Sequence, residues 1–289
     1  MDPLLPIADP PVCLSRWASI QRRPVLVFVI VTFLVSYGLG MLALFIVGAW
    51  GPGINEVAKL YLGRFFVVVG PTCGAMAAVA ATSGRSAILP FLHRRLSPPV
   101  TWWVMFALPV IGMAIVTVAY VAAGVSLEAC ARTAVQAWPL LLVHLALQIL
   151  IVGLGEELGW RGWLIPTLTS RHGLARATLI TGTIWYFWHF PILLGGIANA
   201  FWFALTIGGL SILFSLLWRW SGGSALVPAF AHGSINAPVF FFTAMLPEAD
   251  HRLAWSILSG MLAVLGLLAL SCTGREWKKP QMDTQPSGN

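Results

Sequence analysis

Two adjacent carboxylates and an arginine form the most conspicuous chemical group in the sequence. Glu156 and Glu157 are followed by Arg161 in the stretch EELGWR. On a helix, Glu157 and Arg161 lie four residues apart on one face, so they can form an ion pair. Glu156 and Arg161 are five residues apart, and their directions diverge by about 140°. The spacing therefore predicts that Glu157 is paired with Arg161, while Glu156 remains available as a general base.

Other polar residues lie in apolar surroundings and leave several interpretations open. His189 follows aromatic residues in the stretch WYFWHFP, where it could transfer a proton, bind a metal or form a hydrogen bond inside a core. His232 and Asn236 are spaced one helical turn apart, so they share a face. Together they could donate hydrogen bonds to an oxyanion or link two helices. His144 and Gln148 have the same spacing and are interpreted as a link between helices.

The composition indicates what kind of protein must position these groups. Of the 289 residues, 58% are hydrophobic and 9% are charged, whereas soluble domains average roughly 45–50% and about 25%. These values exclude a soluble globular enzyme, a disordered chain and a nucleic-acid-binding module. They predict an all-α, polytopic bundle of membrane helices. The formal net charge of +7 then indicates orientation in a membrane and no nucleic-acid partner.

Stretches without charged residues predict about eight membrane-spanning helices. They lie near residues 25–49, 65–84, 100–124, 133–155, 177–194, 200–218, 220–247 and 253–274. If both termini are cytoplasmic, the cytoplasmic side receives all of the 17 basic residues except Lys59, Arg64, Arg132 and Arg252, in agreement with the positive-inside rule. The sequence therefore predicts one transmembrane domain over residues 25–274, between cytoplasmic tails at 1–24 and 275–289.

In their order along the chain, the three motif clusters resemble the CAAX-protease and bacteriocin-processing family of intramembrane endopeptidases, known as CPBP or Abi. The family motifs are EExxxR, FxxxH and HxxxN on separate membrane helices. In this sequence they are Glu156-Glu157…Arg161, Trp185…His189 and His232…Asn236. Trp185 replaces the usual phenylalanine and keeps the position aromatic. The resemblance covers about residues 137–240.

The resemblance implies hydrolysis of a peptide bond in a membrane-embedded cavity that opens toward the cytoplasm. It assigns activation of water to Glu156 together with His189. It assigns stabilisation of the oxyanion to His232 and Asn236, while Glu157 and Arg161 orient the site. The implied substrate is a prenylated protein C-terminus, or a bacterial peptide or membrane protein. The short loops and tails favour a multi-pass protein of a bacterial plasma membrane.

A metal site is a second interpretation of the same residues. Glu156, His189 and His232 would form a His₂Glu zinc set with an open position for water, and the family is often described as metalloproteases. The sequence contains no HExxH motif, and activation of water by Glu and His needs no metal. The sequence leaves Zn²⁺ open as a cofactor, with the metal-free interpretation favoured.

Two other functions would use the same bundle. A non-catalytic scaffold or a bacteriocin self-immunity protein would not need buried charges, so retention of every polar motif residue disfavours it. A proton-coupled transporter needs Glu, His and Arg in the membrane, but it normally shows repeats or paired broken helices, which this sequence lacks. The expected partners are the lipid bilayer and a peptide or lipidated protein substrate. The sequence does not indicate an oligomeric state.

Overall fold

The computed structural model describes residues 23–49, 56–274 and 276–277. Within these ranges the chain consists of helices and connecting turns, and no strand is present. The predicted all-α class is therefore confirmed. The predicted tails at 1–24 and 275–289 lie almost entirely outside the described residues.

The described helices vary widely in length, and two of them change their winding along the way. They are α1 (24–49), α2 (Glu56–Ser83), α3 (Ile88–Leu96), α4 (Val104–Ala122), α5 (Leu127–Gln136), α6 (Trp138–His172), α7 (Leu174–Trp188), α8 (Phe190–Leu193), α9 (Ile197–Trp220), α10 (Leu226–Met245) and α11 (Glu248–Cys272). Helix α1 contains a π-helical turn at Leu34–Leu39. Helix α6 contains two, at Gln148–Gly153 and Trp160–Leu164.

Six helices among the described residues are long and apolar enough to cross a membrane. They are Pro24–Ala43, Ala58–Ser83, Val104–Ala122, Trp138–His172, Ile197–Trp220 and His251–Cys272. Their outer surfaces expose large apolar side chains, for example Phe106 at 72% and Leu179, on the neighbouring α7, at 70%. Such exposure is expected where helices face lipid.

The other two predicted spans, 177–194 and 220–247, correspond to α7 and α10. Helix α7 has 15 residues, about 22 Å at 1.5 Å per residue, which is shorter than a hydrocarbon core of about 30 Å. Helix α10 carries the polar residues His232, Ser234 and Asn236 within its apolar sequence. The number of eight spans and the cytoplasmic position of both termini stay predictions.

Small residues bring α1 close to α2. A Cβ atom at Gly70 would collide with the hydroxyl oxygen of Ser36, and one at Gly74 would collide with the hydroxyl of Thr32. In membranes, where lipid is as apolar as the side chains, such close approach provides much of the packing energy between helices. The same contact brings the polar face of α1 toward the middle of the bundle.

Helix α6 occupies the centre of the bundle and packs against α2, α7 and α10. Gly155 and Gly159 lie against the backbone of α2, and Gly153 lies against the backbone of α10. Glu156 and Glu157 lie between these glycines, so the close helix contacts hold both carboxylates deep inside the protein. Helix α9 packs against α7 and α11, and α10 packs against α4.

Candidate functional site

Glu157 lies at the centre of a buried ionic cluster that joins α6 to α10. Nη1 of Arg161 donates to both oxygens of its carboxylate, at 2.9 and 3.0 Å. Nδ1 of His232 lies 2.9 Å from Oε1 of the same carboxylate. Glu157 and Arg161 are fully buried, and His232 is 4% exposed. The structure confirms the predicted pairing of Glu157 with Arg161 and adds a histidine from a second helix.

Glu156 has different surroundings, although it is adjacent to Glu157. Its Oε2 accepts a hydrogen bond from the indole Nε1 of Trp185 at 2.8 Å. Within the described part of the chain it forms no ion pair, and it is 2% exposed. Glu156 is thus a buried carboxylate with an uncharged donor. Its separation from Arg161 is what the spacing of the motif predicts.

Trp185 also positions His189. Its backbone carbonyl oxygen lies 2.9 Å from Nδ1 of His189. Because a carbonyl oxygen can only accept, Nδ1 carries the proton, and Nε2 of the neutral ring keeps a free lone pair. Trp185 therefore forms hydrogen bonds to both residues, to Glu156 through its indole N–H and to His189 through its backbone carbonyl.

Aromatic rings enclose the ionic cluster. The guanidinium of Arg161 lies 4.4 Å from the ring centre of Trp185 and 5.1 Å from that of Phe214 on α9. These rings also flank His232, each at 5.6 Å between ring centres. Nε and Nη2 of Arg161 have no hydrogen-bond partner within the described ranges, and the cation–π contacts offset part of the cost of burying them. The rings keep water away from the charges, which strengthens their interactions.

Helix α1 supplies two residues that the sequence-based prediction missed. Ser36 accepts a hydrogen bond from Nε1 of Trp188 at 2.9 Å and donates one to the carbonyl of Val67 at 2.7 Å. Tyr37 donates to the carbonyl oxygen of Trp188. Both are polar residues within an apolar span, which is the signal that could have identified them. Their contacts fix the end of α7 next to His189.

Asn236 lies apart from the other predicted site residues. Its Nδ2 is 3.4 Å from Oε1 of Gln148, which is a long hydrogen bond. Among the described residues it makes no hydrogen bond to the carboxylates or histidines of the site. His144 lies 3.1 Å from the hydroxyl of Tyr61 on α2. Gln148 and His144 therefore link α6 to α10 and to α2, as their spacing predicts.

Each π-helical turn in the described ranges carries a polar group of this region. Ser36 and Tyr37 lie in the turn at Leu34–Leu39, Gln148 begins the turn at Gln148–Gly153, and Arg161 lies in Trp160–Leu164. A π turn adds a residue to one helical turn and is frequent at functional sites. It changes the direction of the side chains that follow, which regular helical spacing does not predict.

The predicted zinc set does not assemble in this arrangement. Among the described residues, no group of three or more His, Cys, Asp or Glu side chains is placed to hold a metal ion. Nδ1 of His232 is bonded to Glu157, and Oε2 of Glu156 is bonded to Trp185. Zinc binding by Glu156, His189 and His232 stays a prediction.

The predicted site residues are enclosed by the helices around them. A cavity of about 890 Å³ lies between α4, α9, α10 and α11, with Tyr120, Trp202 and His251 in its wall. None of the six predicted site residues lines this cavity.

Comparison with known proteins finds similarity in the central part of the chain. Residues 138–238 match the model of the family described as type II CAAX prenyl endopeptidase Rce1-like. A curated relative, CAAX prenyl protease 2 of Methanococcus maripaludis, is 42% identical over 45 residues, which are 16% of this chain and 17% of the relative. The aligned part spans about a sixth of the length of this relative. No solved structure matches the chain.

The matched range contains all six predicted site residues. It begins with α6, includes α7 and α9, and ends within α10. Ser36 and Tyr37 of α1 lie outside it, although they contact the end of α7. Part of the site wall is therefore built by residues beyond the matched domain.

Proposed function

Because residues 138–238 match the model of the type II CAAX prenyl endopeptidase Rce1-like family, we propose that the chain belongs to the CPBP family of CAAX proteases and is an intramembrane endopeptidase that hydrolyses a peptide bond with activated water. The observation that carries the proposal is the unequal pairing of two adjacent buried carboxylates. Glu157 is bonded to Arg161 and His232, whereas Glu156 accepts an uncharged indole donor. Two neighbouring carboxylates with different environments can take different catalytic roles.

In the proposed reaction, Glu156 removes a proton from a water molecule. The water oxygen forms a bond to the scissile carbonyl carbon, which produces a tetrahedral intermediate. Nε2 of His189 accepts a hydrogen bond from the same water and orients it. When the carbon–nitrogen bond breaks, the proton held by Glu156 passes to the leaving amine. General acid–base catalysis of this kind contributes about 10²–10⁴-fold.

The oxyanion of the intermediate is stabilised by donors on α10. His232 is held at Nδ1 by Glu157, so Nε2 is the nitrogen available to the substrate, and it donates when the ring is doubly protonated. Asn236 lies one turn further along the helix and offers its Nδ2. The hydrogen bond between Asn236 and Gln148 is long, so exchange for a charged oxygen is favourable.

The proposed substrate is a peptide segment at the membrane, either a lipidated protein C-terminus or a bacterial peptide or membrane protein. The name of the curated relative, CAAX prenyl protease 2, supports a lipidated C-terminus. The six apolar helices support an integral membrane protein with the bilayer as its partner. We place it in a bacterial plasma membrane, with both termini in the cytoplasm.

Cleavage by the purified protein tests the proposal. The wild type in detergent is incubated with a quenched prenyl-peptide and with a library of membrane peptides, beside Glu156→Ala, His189→Ala and His232→Ala. His144→Ala is the matched control, because His144 is a buried histidine that contacts Tyr61 outside the site. Cleavage is expected in the wild type and the control and lost in the three site variants.

Equal cleavage by all five proteins would contradict the assignment of the site. The transporter alternative has its own signature, which is proton flux into liposomes that Glu156→Gln abolishes. A wild type that neither cleaves nor transports would favour the non-catalytic scaffold or self-immunity protein.

A further inference from the structure

A small cavity surrounded by arginines lies beside the end of α9. Arg94 and Arg95 come from the last turn of α3, and Arg219 comes from the last turn of α9. The cavity has a volume of about 330 Å³, and Gly222 and Gly223 form part of its wall. This volume is at the lower end of the range of sites for small molecules.

The cavity carries excess positive charge. Arg219 pairs with Glu276, whereas Arg94 and Arg95 form no ion pair with any described residue. No carboxylate is among the residues that line the cavity. Burial, together with the neighbouring Arg94, lowers the pKa of Arg95 to about 10, so Arg95 is still charged at neutral pH. Two arginines that pair with no described carboxylate thus line one cavity.

Two buried N–H donors at this cavity lack acceptors. Nε1 of Trp218 and Nε of Arg95 have no hydrogen-bond partner among the described residues, although Nη1 of Arg95 donates to the carbonyl of Gly223 at 3.1 Å. Trp218 is 3% exposed and lines the cavity. Buried donors without partners are uncommon in folded proteins. Their presence together in a cationic cavity indicates a bound group with several acceptor oxygens.

Gly223 keeps this space open. A Cβ atom at this position would lie 3.2 Å from Nη1 of Arg95 and 3.7 Å from Nε1 of Trp218. The residue also has a φ of +86°, which residues with a side chain rarely adopt. The turn that follows α9 therefore brings its backbone beside the guanidinium of Arg95 and the indole Nε1 of Trp218 without a side chain between them.

The segment next to the cavity, which is α3 and the residues after it, has the features of a segment that lies at a membrane surface. Helix α3 is amphipathic, and large apolar side chains are exposed on it and just after it: Leu89 at 74%, Val100 at 95% and Trp103 at 62%. Exposed apolar residues beside a basic helix end are typical of elements that lie in the interface between lipid tails and water. Phosphate groups of lipids are located at this depth.

We propose that the cavity formed by Arg94, Arg95, Trp218 and Arg219 binds the phosphate group of an anionic lipid headgroup. A phosphate oxygen can accept from the indole of Trp218 while others accept from the guanidinium groups, and its charge balances the unpaired arginines. The site is separate from the carboxylates of α6, and the proposal does not depend on peptide hydrolysis.

Thermal unfolding of the full chain in detergent tests the proposal. The wild type is titrated with short-chain phosphatidylglycerol, with phosphatidylcholine of the same chains and with inorganic phosphate. Phosphatidylglycerol is expected to raise Tm more than phosphatidylcholine does. Trp218→Phe removes one donor and keeps an aromatic ring, and Arg94→Gln removes one charge. Each is expected to weaken phosphatidylglycerol binding roughly tenfold, as for loss of a hydrogen bond to a charged group.

Arg176→Gln is the matched control, because Arg176 is an exposed arginine on the same predicted side and does not line the cavity. It is expected to leave binding unchanged. Arg94 is exposed, so Arg94→Gln tests the proposal even if Trp218→Phe does not fold. Inorganic phosphate could raise the Tm of the wild type as much as phosphatidylglycerol does, with no rise in either variant. This result would support a phosphate site that takes free phosphate. Equal lipid binding by wild type, Trp218→Phe and Arg94→Gln would overturn the proposal, as would equal binding of the two lipids by the wild type.

Discussion

Oε1 of Glu157 and Nδ1 of His232 lie 2.9 Å apart and join α6 to α10 across 75 residues of sequence. The same carboxylate is bonded to Arg161, so one buried anion holds two basic side chains. The contact fixes the plane of the imidazole and leaves Nε2 as the nitrogen that can face a substrate. A carboxylate in this position orients a histidine and stabilises charge that develops on its ring, as in catalytic triads.

Substitution by glutamine is expected to lower the stability of the protein much more at Glu157 than at Glu156. Glu157→Gln leaves the buried Arg161 without its anion and is expected to cost about 3–5 kcal/mol of stability. Glu156→Gln keeps a carbonyl oxygen that can accept from Trp185, and Glu156 forms no ion pair with a described residue, so the stability of the variant is expected to stay within about 1 kcal/mol of wild type. Thermal unfolding in detergent measures both. Similar losses of Tm in the two variants would contradict the division of roles.

Two substitutions of Trp185 test what its indole N–H and its aromatic ring contribute to cleavage and stability. In Trp185→Phe the backbone carbonyl that accepts from His189 remains and the position stays aromatic, so cleavage is expected to remain within about tenfold of wild type. Trp185→Ala also removes the ring beneath Arg161, and it is expected to cost about 3–5 kcal/mol of stability. Peptide cleavage and unfolding of the two variants are compared. A Phe variant as inactive as Glu156→Ala would show that the indole N–H itself is essential.

Asn236 is expected to act on the transition state. Asn236→Ala should lower kcat by about 10²–10³-fold with little change in KM, as for loss of an oxyanion donor. Gln148→Met removes the present partner of Asn236 without touching the substrate. Its kcat is expected to remain within a few-fold of wild type. If Gln148→Met lowers kcat as much as Asn236→Ala does, the pair links α6 to α10 and has no catalytic role.

Removal of metal distinguishes the two interpretations of the histidines. Activation of water by Glu156 with His189 needs no metal, and among the described residues no group of three or more His, Cys, Asp or Glu side chains is placed to hold one. Treatment with a strong chelator is therefore expected to leave peptide cleavage unchanged, and elemental analysis of the purified protein to find substoichiometric zinc. One zinc per chain, lost together with activity and restored with it, would establish the metalloprotease interpretation.

The parts of the site that could be predicted from sequence are those determined within one helix. The pairing of Glu157 with Arg161 follows from a spacing of four residues, and the separation of Glu156 follows from a spacing of five. The contact between Glu157 and His232 could not be predicted in the same way, because it depends on how α6 and α10 pack. Spacing along one helix contains no information about the facing helix.

The contribution of α1 was missed for a related reason. Ser36 and Tyr37 lie more than 100 residues before the first motif, in a span that is otherwise apolar. Their bonds to Trp188 depend on the π turn at Leu34–Leu39 and on the small residues that bring α1 close to α2. Composition identified the membrane helices, but it does not predict where a helix changes its winding.

The central claim is that Glu156 activates water for peptide hydrolysis. The most direct test is cleavage of a peptide substrate in water enriched in ¹⁸O by purified wild type and Glu156→Gln, with mass spectrometry of the products. The account predicts that the wild type introduces one ¹⁸O atom into the new carboxylate and that Glu156→Gln, with a wild-type Tm, cleaves at least about 100-fold more slowly. A Glu156→Gln protein that cleaves at the wild-type rate and introduces the same label would contradict it.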